Sequence, residues 1–159
     1  MAAARDTIHG TALVIGGAGV LIRGPSGAGK SDLALRCIGM GPGPLVPCQA
    51  SLISDDRVEI WRENHYIMMA PPPAIADKLE VRGVGIVDVA GARGPVALIL
   101  VADLVASLAG IERLPERDGA ELLGVRVARV ELYPFEPSAA LKLMLAVKNV
   151  SGQRRERID

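Results

Sequence analysis

The chain has 159 residues and a mass of 16.6 kDa, the size of one domain with a core of its own. Lys and Arg together number 18, as do Asp and Glu, and this balance excludes the basic excess typical of nucleic-acid binders. Hydrophobic residues make up 50% of the chain, which excludes global disorder, while the longest uncharged apolar stretch, residues 11–22, is shorter than the roughly 20 residues of a membrane span.

Hydrophobic patterning predicts a mixture of strands and helices. Short apolar runs between turn residues predict strands at 8–15, 20–23, 52–54, 58–61, 66–69, 96–102 and 125–132. Apolar residues at helical spacing predict helices at 31–40 and 138–150, the second with Ser138 as its N-cap. No linker divides the chain, so we expect one domain over residues 1–150 and a frayed polar tail over 151–159.

The first residues and the cysteines indicate the compartment. The chain starts MAAAR, without the basic start and apolar core of a signal peptide. Cys37 and Cys48 form neither a C-x-x-C motif nor a cluster with histidines. We therefore expect a cytoplasmic protein with reduced cysteines, and no nucleic-acid or membrane partner.

The most specific motif is GPSGAGKS at residues 24–31, which fits G-x-x-x-x-G-K-[ST] between a predicted strand and a predicted helix. Glycines let the backbone N–H groups of such a loop converge on a phosphate at the positive end of the following helix. We expect Lys30 to be accessible to solvent and to contact the outer phosphates, and the Ser31 hydroxyl suits Mg²⁺. The predicted nucleotide-binding residues are Gly24, Pro25, Ser26, Gly27, Ala28, Gly29, Lys30 and Ser31.

A phosphate loop needs a carboxylate at a strand end to complete its metal site, and two segments offer one. Residues 96–102 form the longer apolar run and lead to Asp103, which the pattern alone favours. Residues 52–54 lead to Asp55 and Asp56, and paired carboxylates can divide metal binding from proton acceptance. Asp103 could equally be a strand-end turn or cap, and the pair a polar turn, so the pattern leaves the choice open.

Two weaker features complete the set. His9 precedes a strand, which by itself is typical of a surface or packing residue. Residues 79–88 read LEVRGVGIVD, typical of a strand with a bulge. Taken with the phosphate loop and the segment LISDDR at 52–57, these residues resemble the HPr kinase/phosphorylase family. Residues 79–88 are similar to its signature stretch, Glu-Ile-Arg-Gly-Leu-Gly-Ile-Ile-Asp.

The resemblance implies a fold and a reaction. The fold would be α/β, a P-loop kinase domain of the HPr kinase and phosphoenolpyruvate carboxykinase-like type. The reaction would transfer a phosphoryl group from ATP, with Mg²⁺, to a serine of the phosphocarrier protein HPr. A homo-oligomer is compatible with it, since family members resemble hexamers.

The resemblance also implies roles for the acids and the histidine. His9 would lie near the transferred phosphate as a catalytic residue. Asp56 would take the proton from the seryl hydroxyl, and Asp55 would support Asp56 or the metal. The resemblance thus favours this pair over Asp103.

The remaining implied site residues are metal ligands and cations. Lys30 would hold the phosphates, and Ser31 and Glu80 would bind Mg²⁺. Arg82 would belong to the signature loop. Arg113 is our candidate for the active-site arginine of the family, in a stretch where the resemblance is faint.

Two departures from the family limit the expected activity. Only eight residues precede His9, so we expect a short form that consists of the catalytic domain alone. Residues 130–137, VELYPFEP, lack the Gly-Arg-Asn loop that the family associates with phosphorolysis, so we do not expect strong phosphorylase activity. Two alternatives stay open: a small-molecule kinase, which would need an enclosed acceptor pocket, and a nucleotide-binding regulatory module without catalysis.

Overall fold

A computed structural model describes residues 3–92, 94–116 and 118–156. Within them the chain forms two α-helices and eleven β-strands. The helices are α1, Lys30–Met40, and α2, Ala139–Glu156. Short 3-10 turns lie at Pro73–Ile75 and Leu108–Gly110. The strands β1 to β11 are Asp6–His9, Thr11–Ile15, Ala18–Arg23, Ala50–Ser54, Arg57–Glu63, Tyr66–Ala70, Lys78–Val81, Gly85–Asp88, Val96–Leu104, Asp118–Leu122 and Val125–Leu132.

Nine of the described strands form one mixed sheet. Its order is β1-β5-β6-β9-β3-β2-β4, with β11 also paired to β9, and β10 paired to β11. Strands β3, β9 and β11 run parallel, so their carboxyl ends meet at one edge, the edge where open α/β sheets bind ligands. Strands β7 and β8 form a separate antiparallel hairpin.

The sheet carries an apolar cluster on each face. One cluster includes Leu33 of α1 and Leu143 of α2, which pack with buried residues of β3 and β9. The apolar residues at helical spacing in α1, Leu33, Ala34 and Cys37, are buried and form the face of the helix that packs on the sheet. The second cluster includes Leu21 and Val101 and is closed by apolar residues of β5 and β6. Full burial of such an aliphatic side chain stabilises a fold by roughly 1.5–3 kcal/mol, so the two clusters anchor the edge where the strands end.

The predicted strand at 8–15 is two strands in the structure. They separate at Gly10, where β1 pairs with β5 and β2 pairs with β3 and β4. A Cβ at Gly10 would lie 2.9 Å from the Ile22 carbonyl oxygen, so the backbones approach here more closely than a side chain allows. The break turns β1 away from its neighbour and brings His9 to the edge that carries the phosphate loop.

Helix α2 is longer than the predicted 138–150, because it continues to Glu156 into the predicted tail; residues 157–159 lie outside the described part of the chain. Two contacts hold this end of the helix. The Lys148 ammonium donates to the Leu45 carbonyl at 2.9 Å, and the Arg154 guanidinium lies 5.3 Å from the centre of the Tyr66 ring. No helix in the described ranges has the length and apolar character needed to cross a bilayer.

Candidate active site

The phosphate loop connects the end of β3 to the start of α1, as its motif predicts. Gly27 and Gly29 have φ angles of 83° and 99°, in the region that favours glycine. The Ala28 N–H donates to the Pro25 carbonyl at 3.0 Å, and the Leu33 N–H donates to the Gly29 carbonyl at 3.0 Å. The loop is therefore closed on itself and leads directly into α1, whose positive end favours an anion at this point.

Lys30 is buried, contrary to the expectation of an accessible ammonium. The residue is 7% exposed, and its Nζ donates to the carbonyl oxygens of Gly24 at 2.8 Å and Pro25 at 2.9 Å. Burial lowers the pKa of Lys30, while the charges of Asp56 and Asp55 act in the opposite direction. The ammonium is thus held against the loop by weak neutral acceptors, which an anionic phosphate can replace.

Asp55 is the buried centre of the site, at 7% exposure. Its Oδ1 accepts hydrogen bonds from Thr11 Oγ1 at 2.9 Å, Ser31 Oγ at 2.8 Å and the Asp56 N–H at 3.1 Å. Its Oδ2 accepts from the Glu80 N–H at 3.1 Å. One carboxylate therefore joins β2, α1, β7 and the turn between β4 and β5.

Thr11 is a site residue that the sequence reasoning missed. It is fully buried, and its hydroxyl contacts only the carboxylate of Asp55 among the hydrogen bonds described. Its position at the head of the apolar strand TALVI is the signal that could have identified it, because a buried hydroxyl needs a partner. The partner lies 44 residues along the chain, out of reach of local pattern.

Asp56 and His9 form an exposed pair beside the buried carboxylate. His9 Nδ1 lies 3.2 Å from Asp56 Oδ1, and their side chains are 51% and 65% exposed. Asp56 has a φ of 68°, which non-glycine residues seldom adopt, and the Gly10 N–H holds its carbonyl oxygen at 3.0 Å. The turn thus points one acid inward and presents the next beside an imidazole, so the structure brings the predicted His9 and Asp56 together.

Asp103 is committed to two arginines. It accepts from Arg23 Nε at 2.7 Å and Nη2 at 2.8 Å, and from Arg129 Nε at 2.6 Å. Partial burial raises the pKa of Asp103, but the hydrogen bonds from Arg23 and Arg129 outweigh this effect and the net pKa is lowered. Asp103, the acid that the longer apolar run favours, is thus bound by arginines, whereas Ser31 contacts Asp55.

The side chains of the other predicted site residues make no described hydrogen bond to Asp55 or to the phosphate loop. Glu80 contacts Asp55 through its backbone N–H, and its side chain is exposed. Arg82 is exposed in the turn between β7 and β8. Arg113, between β9 and β10, lines a groove with residues of β11 and α2, and no described residue of the phosphate loop lines that groove. The structure thus does not bring Arg113 to the site.

The donors near Asp55 suit a magnesium ion bound together with phosphates. Among the described residues, no group of three His, Cys, Asp or Glu side chains could hold a metal by itself. Mg²⁺ does not require such a group, because it keeps several waters and takes one or two protein oxygens beside substrate phosphates. Ser31 and Asp55 supply a hydroxyl and a carboxylate beside the loop, and Glu80, whose N–H donates to Asp55, adds an exposed acid on β7, so the residues present fit the ion.

Comparison with known proteins yields one family. The family described as HPr Serine kinase C-terminal domain matches residues 1–151. An HPr kinase/phosphorylase of Enterococcus faecalis is 35% identical over 135 residues, covering 82% of this chain and 41% of the relative. The HPr kinase/phosphorylase of Alkaliphilus metalliredigens is 34% identical over 151 residues, covering 89% of this chain and 46% of the relative. The chain therefore spans less than half the length of these relatives.

A solved structure shares the fold. The HPr(Ser) kinase/phosphatase from Coxiella burnetii matches with a TM-score of 0.72 and 24% identity, covering 96% of this chain and 98% of that chain. The family match spans nearly the whole chain, including the phosphate loop, the paired aspartates and the β7–β8 hairpin. The α/β fold and the resemblance seen in the sequence are thereby confirmed, and the chain belongs to the HPr Serine kinase C-terminal domain family.

Proposed function

We propose that this chain transfers the γ-phosphoryl group of ATP to a serine hydroxyl of the phosphocarrier protein HPr. The observation that carries the proposal is the position of the exposed His9–Asp56 pair beside a phosphate loop whose Ser31 contacts Asp55. Nucleotide chemistry and proton acceptance are then available within one site. The names of the relatives, HPr kinase/phosphorylase, supply the acceptor.

The loop would bind the phosphates of ATP. Its inward N–H groups and the start of α1 favour the β- and γ-phosphates. Lys30 would exchange the carbonyl oxygens of Gly24 and Pro25 for phosphate oxygens, with which it forms stronger, charge-assisted hydrogen bonds. This exchange places a cation where negative charge accumulates during transfer.

Ser31 and Glu80 would hold Mg²⁺ with the phosphates, and Asp55 would orient the Ser31 hydroxyl. A bound Mg²⁺ neutralises charge on the transferred group. Asp55 already fixes the Ser31 side chain through hydrogen bonds of 2.8 and 3.1 Å. Thr11 in turn restrains Asp55, so the oxygen donors are arranged before substrate enters.

Asp56 would accept the proton of the attacking serine. Its carboxylate is exposed, so a hydroxyl of a protein substrate can approach it, whereas Asp55 is enclosed by its partners. His9 at 3.2 Å would restrain the orientation of Asp56 and place an imidazole near the transferred group. Acceptance of the proton by a positioned base accelerates such reactions by about 10²–10⁴-fold.

The test is incubation of the protein with γ-labelled ATP, Mg²⁺ and purified HPr. We expect label on HPr, and none on an HPr variant whose acceptor serine is replaced by alanine. Consumption of ATP with transfer to a small molecule and none to HPr would indicate a small-molecule kinase. Binding of ATP with no transfer to any acceptor would indicate a regulatory module, and either result would overturn the proposal.

A further inference from the structure

The segment that departs from the family pattern lies against the phosphate loop. Residues 133–138 connect β11 to α2, and within them Phe135 contacts Gly29. A Cβ at Gly29 would lie 3.2 Å from Phe135 Cε1 and 3.3 Å from Cζ. The edge of the ring therefore rests on the glycine that precedes Lys30.

Phe135 is exposed in a chain that has few aromatic residues. The chain contains one Phe, one Trp and two Tyr, and Phe135 is 59% exposed. The aliphatic cores do not include this ring. The exposed ring therefore presents an aromatic face to solvent at the edge that carries the phosphate loop.

The Phe135 ring contacts Tyr133, and Arg36 holds the backbone on both sides of Phe135. Tyr133 meets it edge to face, with ring centres 5.8 Å apart and planes at 79°. Arg36 of α1 donates to the carbonyl oxygens of Pro134 and Glu136, and Asp32 orients the Arg36 guanidinium at 3.0 Å. A ring fixed in this way loses little conformational freedom when a flat group stacks on it.

We propose that Phe135 is the stacking surface for the base of the nucleotide whose phosphates occupy the loop. This inference rests on the proposed nucleotide-dependent function. The base is tethered to the phosphates through the ribose, so an aromatic ring in contact with Gly29 is within its range. The Glu136 carboxylate next to Phe135 in the chain is paired with Lys142 at 2.6 Å, which reduces its repulsion of a phosphorylated ligand.

Stacking on one aromatic face tolerates different bases, because every base has a π-face. The contribution of such stacking corresponds to on the order of tenfold or more in affinity per base. The surface would therefore strengthen binding of ATP, ADP and GTP alike, and would contribute nothing to a ligand that has phosphates and no base.

The experiment compares ADP with tripolyphosphate in calorimetric titrations of the whole chain with Mg²⁺. Phe135→Ala and Phe135→Leu are expected to weaken ADP binding by on the order of tenfold and to leave tripolyphosphate binding unchanged. Phe135→Tyr is expected to retain ADP affinity, because it keeps the ring. Leucine keeps an apolar contact with Gly29 but has no π-face, so it separates stacking from packing. Leu114→Ala, at a residue 92% exposed and outside the site, is the matched control.

Any of four results would overturn the inference. Equal losses for ADP and tripolyphosphate in Phe135→Ala would show that the ring only supports the loop. Unchanged ADP affinity, with a raised KM for HPr, would assign the ring to the protein substrate. If the unaltered protein binds neither ADP nor tripolyphosphate, the proposed function fails together with this inference. If every Phe135 variant binds ADP normally, only the assignment of Phe135 as a stacking surface fails.

Discussion

Two adjacent aspartates have opposite environments, and this contrast separates their roles. Asp55 is enclosed by hydrogen-bond donors, whereas the Asp56 side chain is 65% exposed. The Asp55 oxygens are occupied by the donors of Thr11, Ser31 and Glu80, which leaves them little room for a substrate hydroxyl. Asp56, with one imidazole neighbour and access to solvent, is better suited to meet a serine of another protein.

Replacing Asp56 by Asn should leave ATP binding nearly unchanged and slow phosphoryl transfer. The amide keeps the shape of the side chain but cannot accept the serine proton, so we expect kcat to fall by about 10²–10⁴-fold. Initial rates of HPr labelling at saturating ATP measure the effect. Asp103→Asn is the matched control and should cost much less, because Asp103 contacts arginines. The reverse ranking would give the base role to Asp103.

Replacing Lys30 by Met should abolish most nucleotide-dependent activity and keep the fold. Methionine preserves much of the apolar stem at a position that is 7% exposed, whereas Lys30→Ala also leaves a cavity beside the loop. Calorimetric ATP titration and labelling of HPr measure binding and turnover, and circular dichroism checks the fold. Wild-type affinity and turnover in Lys30→Met would show that residues 24–31 are not a functional phosphate loop.

The sequence predicts residues of this site unevenly. Local pattern identifies the phosphate loop, because its glycines and Lys30 are contiguous. His9 and Glu80 depend on the family resemblance, since nothing in their local surroundings separates them from surface residues. Asp56 is one of the strand-end acids that the pattern identifies, and the resemblance favours its pair over Asp103. Thr11 and Phe135 cannot be identified from the sequence. Their contact partners, Asp55 and Gly29, lie far from them along the chain.

At the scale of elements, one ion-pair network joins the three parallel strands beside the phosphate loop. Asp103 at the end of β9 accepts hydrogen bonds from Arg23 of β3 and Arg129 of β11. Arg23 directly precedes Gly24, the first residue of the phosphate loop. The network therefore restrains the backbone where the loop begins. Strand order and charge together thus hold the edge that carries the site.

Replacing Asp103 by Asn should destabilise the fold in a pH-dependent way. The folded-state pKa of Asp103 is lowered, so its contribution is present above the unfolded pKa near 3.9 and is lost as pH falls through the folded value. We expect the variant to lose about 1.5–3 kcal/mol in the free energy of unfolding at pH 7, and less below pH 4. Urea unfolding at both pH values measures this difference. A loss of equal size at both values would show that the ion pairs do not cause it.

The sequence predicts helices and strands well where their apolar residues are contiguous or regularly spaced. It predicts the ends of these elements less well. Strand β11 and helix α1 follow closely from hydrophobic patterning. Strand β10 was not predicted, because Asp118–Leu122 contains charges and a glycine and forms by pairing with β11. The extension of α2 depends on contacts with Leu45 and Tyr66, which local pattern does not show.

At the scale of the whole molecule, the site depends on how the sheet brings distant segments together. Five segments meet around Asp55 and Asp56: the end of β1, the start of β2, the phosphate loop, the β4–β5 turn and the middle of β7. The topology that does this places β1 on β5 rather than on β2. Such an arrangement follows from the family fold and not from the spacing of residues in the chain.

The final prediction concerns the direction of the reaction: the forward kinase reaction should be much faster than phosphorolysis of phosphoserine-HPr. In phosphorolysis, inorganic phosphate attacks the phosphoserine, so the attacking anion needs donors beyond those that hold ATP. The segment beside the loop supplies few. Pro134 has no N–H, Phe135 covers Gly29, and Arg36 already donates to the carbonyls of Pro134 and Glu136.

Two acids, Glu131 and Glu136, lie within or near this segment, but their repulsion of phosphate contributes little to the asymmetry. Glu131 lies 3.3 Å from an Arg129 nitrogen and Glu136 lies 2.6 Å from Lys142, so both carboxylates are paired. The missing donors therefore carry the prediction. The measurement supplies phosphoserine-HPr, excess phosphate and Mg²⁺, and follows pyrophosphate release beside the forward rate under matched conditions. Phosphorolysis needs a second anion site, and we expect residues 133–136 not to provide one. Pyrophosphate release as fast as HPr labelling would contradict this and show that cationic side chains outside this segment bind the attacking phosphate.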